Sequence, residues 1–174
     1  MHRATFGAGC YWGTERYFKK QFKSAIVEGA VGFMGGEGTE NPGYRAVCTG
    51  KTGHAEVYSF QYDPKEVQYP QLVEFFFRMH NPTTTNRQGN DVGTQYRSVI
   101  FYHDDEQLQV AKEYIQKLNS GSDGELKAKF EKAFGGGSVV TTLEPASTFF
   151  PAQEDHQQYL ERNPGGYCNH RVYY

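Results

Sequence analysis

Ala4-Thr5-Phe6-Gly7-Ala8-Gly9-Cys10-Tyr11-Trp12-Gly13-Thr14-Glu15-Arg16-Tyr17-Phe18 changes its period in the middle. Residues 4–8 read as a short apolar strand that breaks at Gly7 and Gly9, and from Tyr11 to Phe18 the aromatic residues take up helical spacing. Cys10 is thereby placed at a strand-to-helix junction. The same two periods alternate downstream. Residues 24–33 are partly β-branched and run into Gly35-Gly36, while residues 54–62 set Ala55, Val57, Ser59 and Gln61 against Glu56, Tyr58, Phe60 and Tyr62 before stopping at Asp63-Pro64. Both read as strands. Pro70 opens a helix that carries Leu72, Val73, Phe75, Phe76 and Met79 and ends at Asn81-Pro82. Residues 83–93 read as a polar loop and residues 95–102 as a strand; Asp104-Asp105-Glu106 then puts acid in the first turn of a helix striped with Leu108, Ala111, Ile115 and Leu118. An amphipathic stretch at 125–134, a strand at 139–143 and a helix at 152–162 complete the chain. With no linker and no repeat, residues 1–174 read as one α/β or α+β domain, a mixed sheet flanked by helices.

Composition narrows the function classes. Hydrophobic residues are 37% of the 174, and no apolar run approaches the roughly 18 residues of a membrane span. A net charge of −2, from 18 basic and 20 acidic residues, gives no global field for nucleic acid or anionic lipid. Aromatics reach 16%, so rings supply the core, and 20 glycines supply tight turns. Three cysteines, Cys10, Cys48 and Cys168, are too few and too odd for a secreted disulfide framework. The first residues lack the apolar stretch of a signal peptide, so the expected setting is cytoplasmic and reducing.

Three stretches carry candidate chemistry. A thiol at the first turn of a helix feels the partial positive charge of unpaired N–H groups, which lowers its pKa and favours Cys10 as a nucleophile. The alternative is a packed thiol beside a Trp that anchors the helix. Glu56 opens a strand that is otherwise apolar or aromatic. It is either a solvent-facing residue or a buried acid kept protonated near neutral pH and able to donate to a developing oxyanion. The loop Gly89-Asn90-Asp91-Val92-Gly93-Thr94-Gln95-Tyr96 brings an acid and a tyrosine to a strand entry; the plain alternative is an Asx-type turn with Tyr96 packed in the sheet.

These residues carry a resemblance. Gly9-Cys10-Tyr11-Trp12-Gly13, Cys48-Thr49-Gly50-Lys51-Thr52-Gly53-His54-Ala55-Glu56, Arg87-Gln88-Gly89-Asn90-Asp91-Val92-Gly93-Thr94-Gln95-Tyr96-Arg97-Ser98, Asp155-His156-Gln157-Gln158-Tyr159-Leu160 and Asn163-Pro164-Gly165-Gly166-Tyr167-Cys168 resemble, in order, the signature blocks of the A-type peptide methionine sulfoxide reductases. Five blocks in register span nearly the whole chain. The resemblance implies a ferredoxin-like α/β core with long coil segments. It implies reduction of the S epimer of free or protein-bound methionine sulfoxide, with no metal or organic cofactor, by a monomer serving protein repair.

Carried over by motif, Cys10 is the nucleophile, Glu56 the acid that protonates the sulfoxide oxygen, and Tyr44 and Tyr96 hydroxyl donors to that oxygen. Tyr11 and Trp12 form the wall for the substrate methyl group, and Asp91 shapes the pocket. A sulfoxide sulfur is a poor electrophile until its oxygen is protonated or strongly hydrogen-bonded, which is why an acid and donors are needed there. Attack leaves a Cys10 sulfenic acid, which condenses with a second thiol. The resemblance makes Cys168 that thiol, in a glycine-led segment expected to move freely, with thioredoxin reopening the Cys10–Cys168 disulfide. Cys48, next to Val47 and approaching a strand, is expected to be a packed bystander.

Two departures qualify the transfer. The family usually has Phe directly after the nucleophile, and Tyr11 adds a hydroxyl that needs a partner. Many relatives carry a further cysteine beyond the last block, and its absence here favours a direct Cys10–Cys168 pair. The competing readings are a non-catalytic redox sensor or methionine-sulfoxide-binding module, and a cysteine hydrolase pairing Cys10 with His54, His80, His103 or His156.

Overall fold

The computed structural model describes residues 1–174. Its elements in chain order are β1 (His2–Ala8), α1 (Tyr11–Phe22), β2 (Ile26–Met34), α2 (Gly43–Cys48), β3 (Ala55–Tyr62), α3 (Tyr69–Arg78), β4 (Arg87–Gln88), β5 (Asp91–Val92), β6 (Ser98–Tyr102), α4 (Asp105–Ser120), α5 (Gly124–Phe134), β7 (Thr142–Pro145), β8 (Phe150–Pro151) and α6 (Tyr159–Arg162). Six strands form one sheet in the order β7-β6-β1-β3-β2-β8, and β4 and β5 make a small separate hairpin. All pairings in the large sheet are antiparallel except β6 with β7, so the sheet is mixed, as expected. The inner four strands run β6-β1-β3-β2, and with α1 and α3 between them in sequence they reproduce the β-α-β-β-α-β ferredoxin-like arrangement.

Period two decides which face each strand residue meets. Ala4, Phe6 and Ala8 on β1, and Tyr58, Phe60 and Tyr62 on β3, enter the 26-residue core cluster that also contains residues of α1 and α3. Phe6 stacks on Phe18 of α1 at 5.1 Å and on Phe76 of α3 at 5.2 Å between ring centroids. Burying such a ring contributes roughly 2 kcal/mol. Met34, Ala55, Val57, Val99 and Phe101 form a smaller cluster of alternate strand positions. Glu56 has the parity of Tyr58, so the alternation that builds the core also carries a carboxyl into it.

Four expectations need correction. The strand expected at 95–102 starts only at Ser98, because Thr94–Tyr96 form a 3-10 turn in which Tyr96 N donates to Gly93 O. The helix expected at 152–162 is a short 3-10 turn at Glu154–His156, then α6, broken by Gln158 at φ +53°. The Glu15 side chain accepts from Gln158 N at 2.8 Å and Gln157 bridges to Val31 N and O, so contacts from α1 and β2 override the local helical period. The strand expected at 139–143 shifts to β7: Val139 N donates to Asn119 and Val140 N to Pro82 O, and pairing with β6 starts at Thr142. The loop at 83–93 contains β4 and β5, whose register sets Gln88 opposite Asp91.

Candidate active site

Cys10 is the N-cap of α1 and lies 8% exposed. The preceding Gly9 has φ +89°, a left-handed turn that lets the chain leave β1 and enter the helix within two residues. The backbone N–H groups of Trp12 and Gly13, at the open start of the helix, pull the pKa of the sulfur down, although no side-chain cap hydrogen bond forms at Cys10. Their effect is outweighed. Burial first, and the Glu56 charge second, push the Cys10 thiol well above its ordinary range, which corrects the expectation of a lowered thiol pKa. The group is stored as S–H.

Glu56 is 1% exposed, which answers the question its sequence position left open. Its Oε1 accepts the backbone N–H of Tyr11 at 3.2 Å, and its Oε2 is buried without a partner. Burial raises its pKa to about 8 against the smaller lowering by that N–H, so the carboxyl is neutral at pH 7. A neutral Glu56 removes the second of the effects that raise the Cys10 pKa, while burial, the largest, remains and keeps the thiol protonated.

Tyr44, on α2, packs against His156 in a tilted arrangement at 4.6 Å and stacks on Tyr11 at 6.4 Å between ring centroids. Burial holds the hydroxyls of Tyr44 and Tyr96 protonated and so able to donate; both also feel the Glu56 charge. Tyr11 is fully buried, with its ring at 5.8 Å from Phe33. It stands behind the site, whereas the half-buried Trp12 lies on Tyr159 at 3.8 Å between ring centres. The extra hydroxyl of Tyr11 has found a partner. Trp12 Nε1–H donates to His156 Nδ1 at 3.2 Å, so that nitrogen is unprotonated and also accepts from the Tyr11 hydroxyl at 3.1 Å. His156 and Tyr44 share a shallow depression with Pro42, Gly43, Arg45 and Gln153. Burial lowers the pKa of His156, which keeps the ring in the accepting form.

The tail closes the other side. Asp91 Oδ2 accepts from the Tyr167 hydroxyl at 3.2 Å and from Asn169 Nδ2 at 3.3 Å. The Tyr167 hydroxyl lies within electrostatic reach of both Cys10 and Cys168. Cys168 is half-buried, and the residues around it are tied down rather than loose as expected, because Asn169 and His170 also bond to Gln88 O and Ala8 O. Cys48 differs too. It ends α2 as an exposed thiol facing the hydroxyls of Tyr44 and Tyr96, not a packed core residue, because the helix turns it away from Val47 and the core. Cys10, Tyr11, Tyr44, Glu56, Asp91 and Tyr96 thus fall in one electrostatic neighbourhood. The sequence reading passed over His170 and Glu15, and it gave His156 no place in the pocket; for His156 the signal was present in the Asp155–Leu160 block, whereas nothing local marks the other two. No group of three or more His, Cys, Asp or Glu side chains is arranged to hold a metal ion.

Comparison with known proteins agrees with this geometry. The peptide methionine sulfoxide reductase family model matches residues 2–174. A peptide methionine sulfoxide reductase MsrA of Methanothermobacter thermautotrophicus is 51% identical over 166 residues, covering 95% of this chain and 90% of that protein. Reduced Mxr1 from Saccharomyces cerevisiae superposes with a TM-score of 0.81 at 36% identity, covering 99% of this chain and 91% of the other. The same yeast protein in complex with Trx2 superposes at 0.59, with 25% identity and coverage of 99% and 90%. The chain belongs to the peptide methionine sulfoxide reductase family.

Proposed function

We propose that residues 1–174 act as one catalytic unit that reduces the S epimer of free and protein-bound methionine sulfoxide, with thioredoxin as the final reductant. The observation that carries this reading is the buried, neutral Glu56 bonded to the first residue of the helix that Cys10 caps. A redox sensor has no use for such an acid. Glu56 passes its proton to the sulfoxide oxygen while Tyr44 and Tyr96 donate hydrogen bonds to it, which makes the sulfur electrophilic. Cys10 attacks that sulfur and the oxygen passes to Cys10, its new S–O bond forming as the substrate S–O bond breaks. The methionine sulfur gains two electrons and Cys10 loses them. The thiol proton returns to Glu56, so the acid ends as it began.

Trp12 offers an aromatic face to the substrate methyl group, with Tyr11 supporting it through their shared partner His156. Asp91 anchors the pocket rim. Cys168 condenses with the Cys10 sulfenic acid, and the yeast complex with Trx2 supports assigning the opening of that disulfide to a thioredoxin. Three free thiols fit a reducing, cytoplasmic setting, and no helix is long and apolar enough to cross a membrane.

Separated epimers of methionine sulfoxide, incubated with fully reduced protein and dithiothreitol, test the reading. Methionine from the S epimer alone is expected; no methionine from either epimer would sink it.

A further inference from the structure

His170 lies two residues beyond Cys168, yet it is 5% exposed. Its Nε2 sits 2.5 Å from Ala8 O, and because a carbonyl only accepts, Nε2 carries the proton. Burial holds the ring neutral, with its pKa lowered to about 4. Its Nδ1 has no partner and faces Gly13, where any Cβ would collide with the ring. The backbone is held as well, since the Tyr17 hydroxyl donates to His170 O at 2.9 Å. His170 is thus docked, by ring and by main chain, onto the strand–helix unit that carries Cys10. Ala8 precedes that cysteine and Gly13 and Tyr17 follow it. On the Cys168 side the tail is also held by the Asp91 contacts of Tyr167 and Asn169 and by the Asn169 Nδ2 bond to Gln88 O at 2.9 Å, with Tyr167 46% exposed; beyond His170, Tyr173 N donates to Arg78 O and Arg78 Nε to Tyr174 O.

We propose that His170 is a positioning residue for the second half of the reaction. It keeps the tail docked beside Cys10, so that Cys168 reaches the oxidised sulfur when the Tyr167 and Asn169 side-chain contacts open, and the whole tail need not search for it. In that step the Cys168 sulfur attacks the sulfenic sulfur, an S–S bond forms, the S–O bond breaks, and the hydroxyl leaves with the thiol proton as water. No outside oxidant is consumed. The proposal rests on Cys168 being the thiol that condenses with Cys10.

Reduced full-length protein mixed with one equivalent of methionine sulfoxide, without reductant, separates the two halves. In His170→Ala, methionine is released within twofold of the parent rate, the disulfide forms at least tenfold more slowly, and a sulfenic acid accumulates that dimedone traps. His170→Gln, whose amide N–H reaches where Nε2–H does, recovers most of the rate. Tyr17→Phe slows disulfide formation about threefold and tests the same docking if His170→Ala does not fold. Disulfide formation at the parent rate in folded His170→Ala, or in Tyr17→Phe where the alanine variant is unfolded, overturns the proposal. So does equal slowing by Ala and Gln. Cys168→Ser run beside them isolates the underlying assignment: if it still forms an intramolecular disulfide at the parent rate, the assignment of Cys168 has failed.

Discussion

The backbone N–H of Tyr11 reaches Glu56 Oε1 at 3.2 Å, so the buried acid is fastened to the residue that directly follows Cys10. The strand face that builds the core and the helix start that holds the thiol meet at this one bond. Its geometry sets both the chemistry and the pH response of the site.

Glu56→Gln keeps the acceptor for Tyr11 N but cannot give a carboxylic proton. Methionine release in a single turnover is expected to fall at least 100-fold, a loss of about 3 kcal/mol of transition-state stabilisation. A stopped assay of methionine formed per chain measures it.

The same variant is expected to be more stable. Glu56 has its pKa raised by burial from 4.5 to about 8, so between those values the unfolded chain releases a proton that the folded chain keeps. Stability therefore falls as pH rises through this window, by about 3 kcal/mol at pH 7. Glu15, raised by burial to about 7, acts in the same direction in the parent and in the variant. The difference between their urea midpoints from pH 5 to pH 8 thus isolates Glu56, and it should widen with pH in favour of Glu56→Gln.

The first-step rate of the parent should hold across neutral pH and drop as pH passes about 8, where Glu56 ionises. A rate that rises through pH 9 instead would identify thiol ionisation as the controlling event.

Tyr11→Phe removes one of the two donors to His156 Nδ1 and leaves the Trp12 bond in place. Because Tyr11 is fully buried and backs the site from behind, turnover should stay within about twofold and stability within about 1 kcal/mol. Steady-state kinetics and a melting curve check both.

Gly13→Ala puts a methyl group against the ring of His170. Alanine is the better helix former by about 1 kcal/mol, so intrinsic propensity predicts a gain. Overpacking predicts a net loss of 1–3 kcal/mol, and a lowered melting temperature is the expected result.

Elements whose signal is local were legible in the sequence. The alternation around Glu56 names β3 and its core face, and Asp104, whose side chain accepts from Gln107 N, marks the start of α4. What was not legible depends on distant partners. Gln158 breaks its helix because Glu15, 143 residues away, holds its N–H. The net direction of the Cys10 pKa required burial, which no helix-end rule supplies; the N–H groups act as expected but act less. Cys48 sits beside Val47, yet a helix at that point points the two side chains differently, and only the structure reveals α2.

The bond between His170 and Ala8 joins residues 162 apart. Synthesis runs from the N-terminal side, so Ala8 and Cys10 are made well before His170, and the thiol-bearing turn waits for its cover until the residues between them have been added. During that interval Cys10 meets cellular oxidants without the tail above it. Chains cut short before His170 carry an open thiol for as long as they persist.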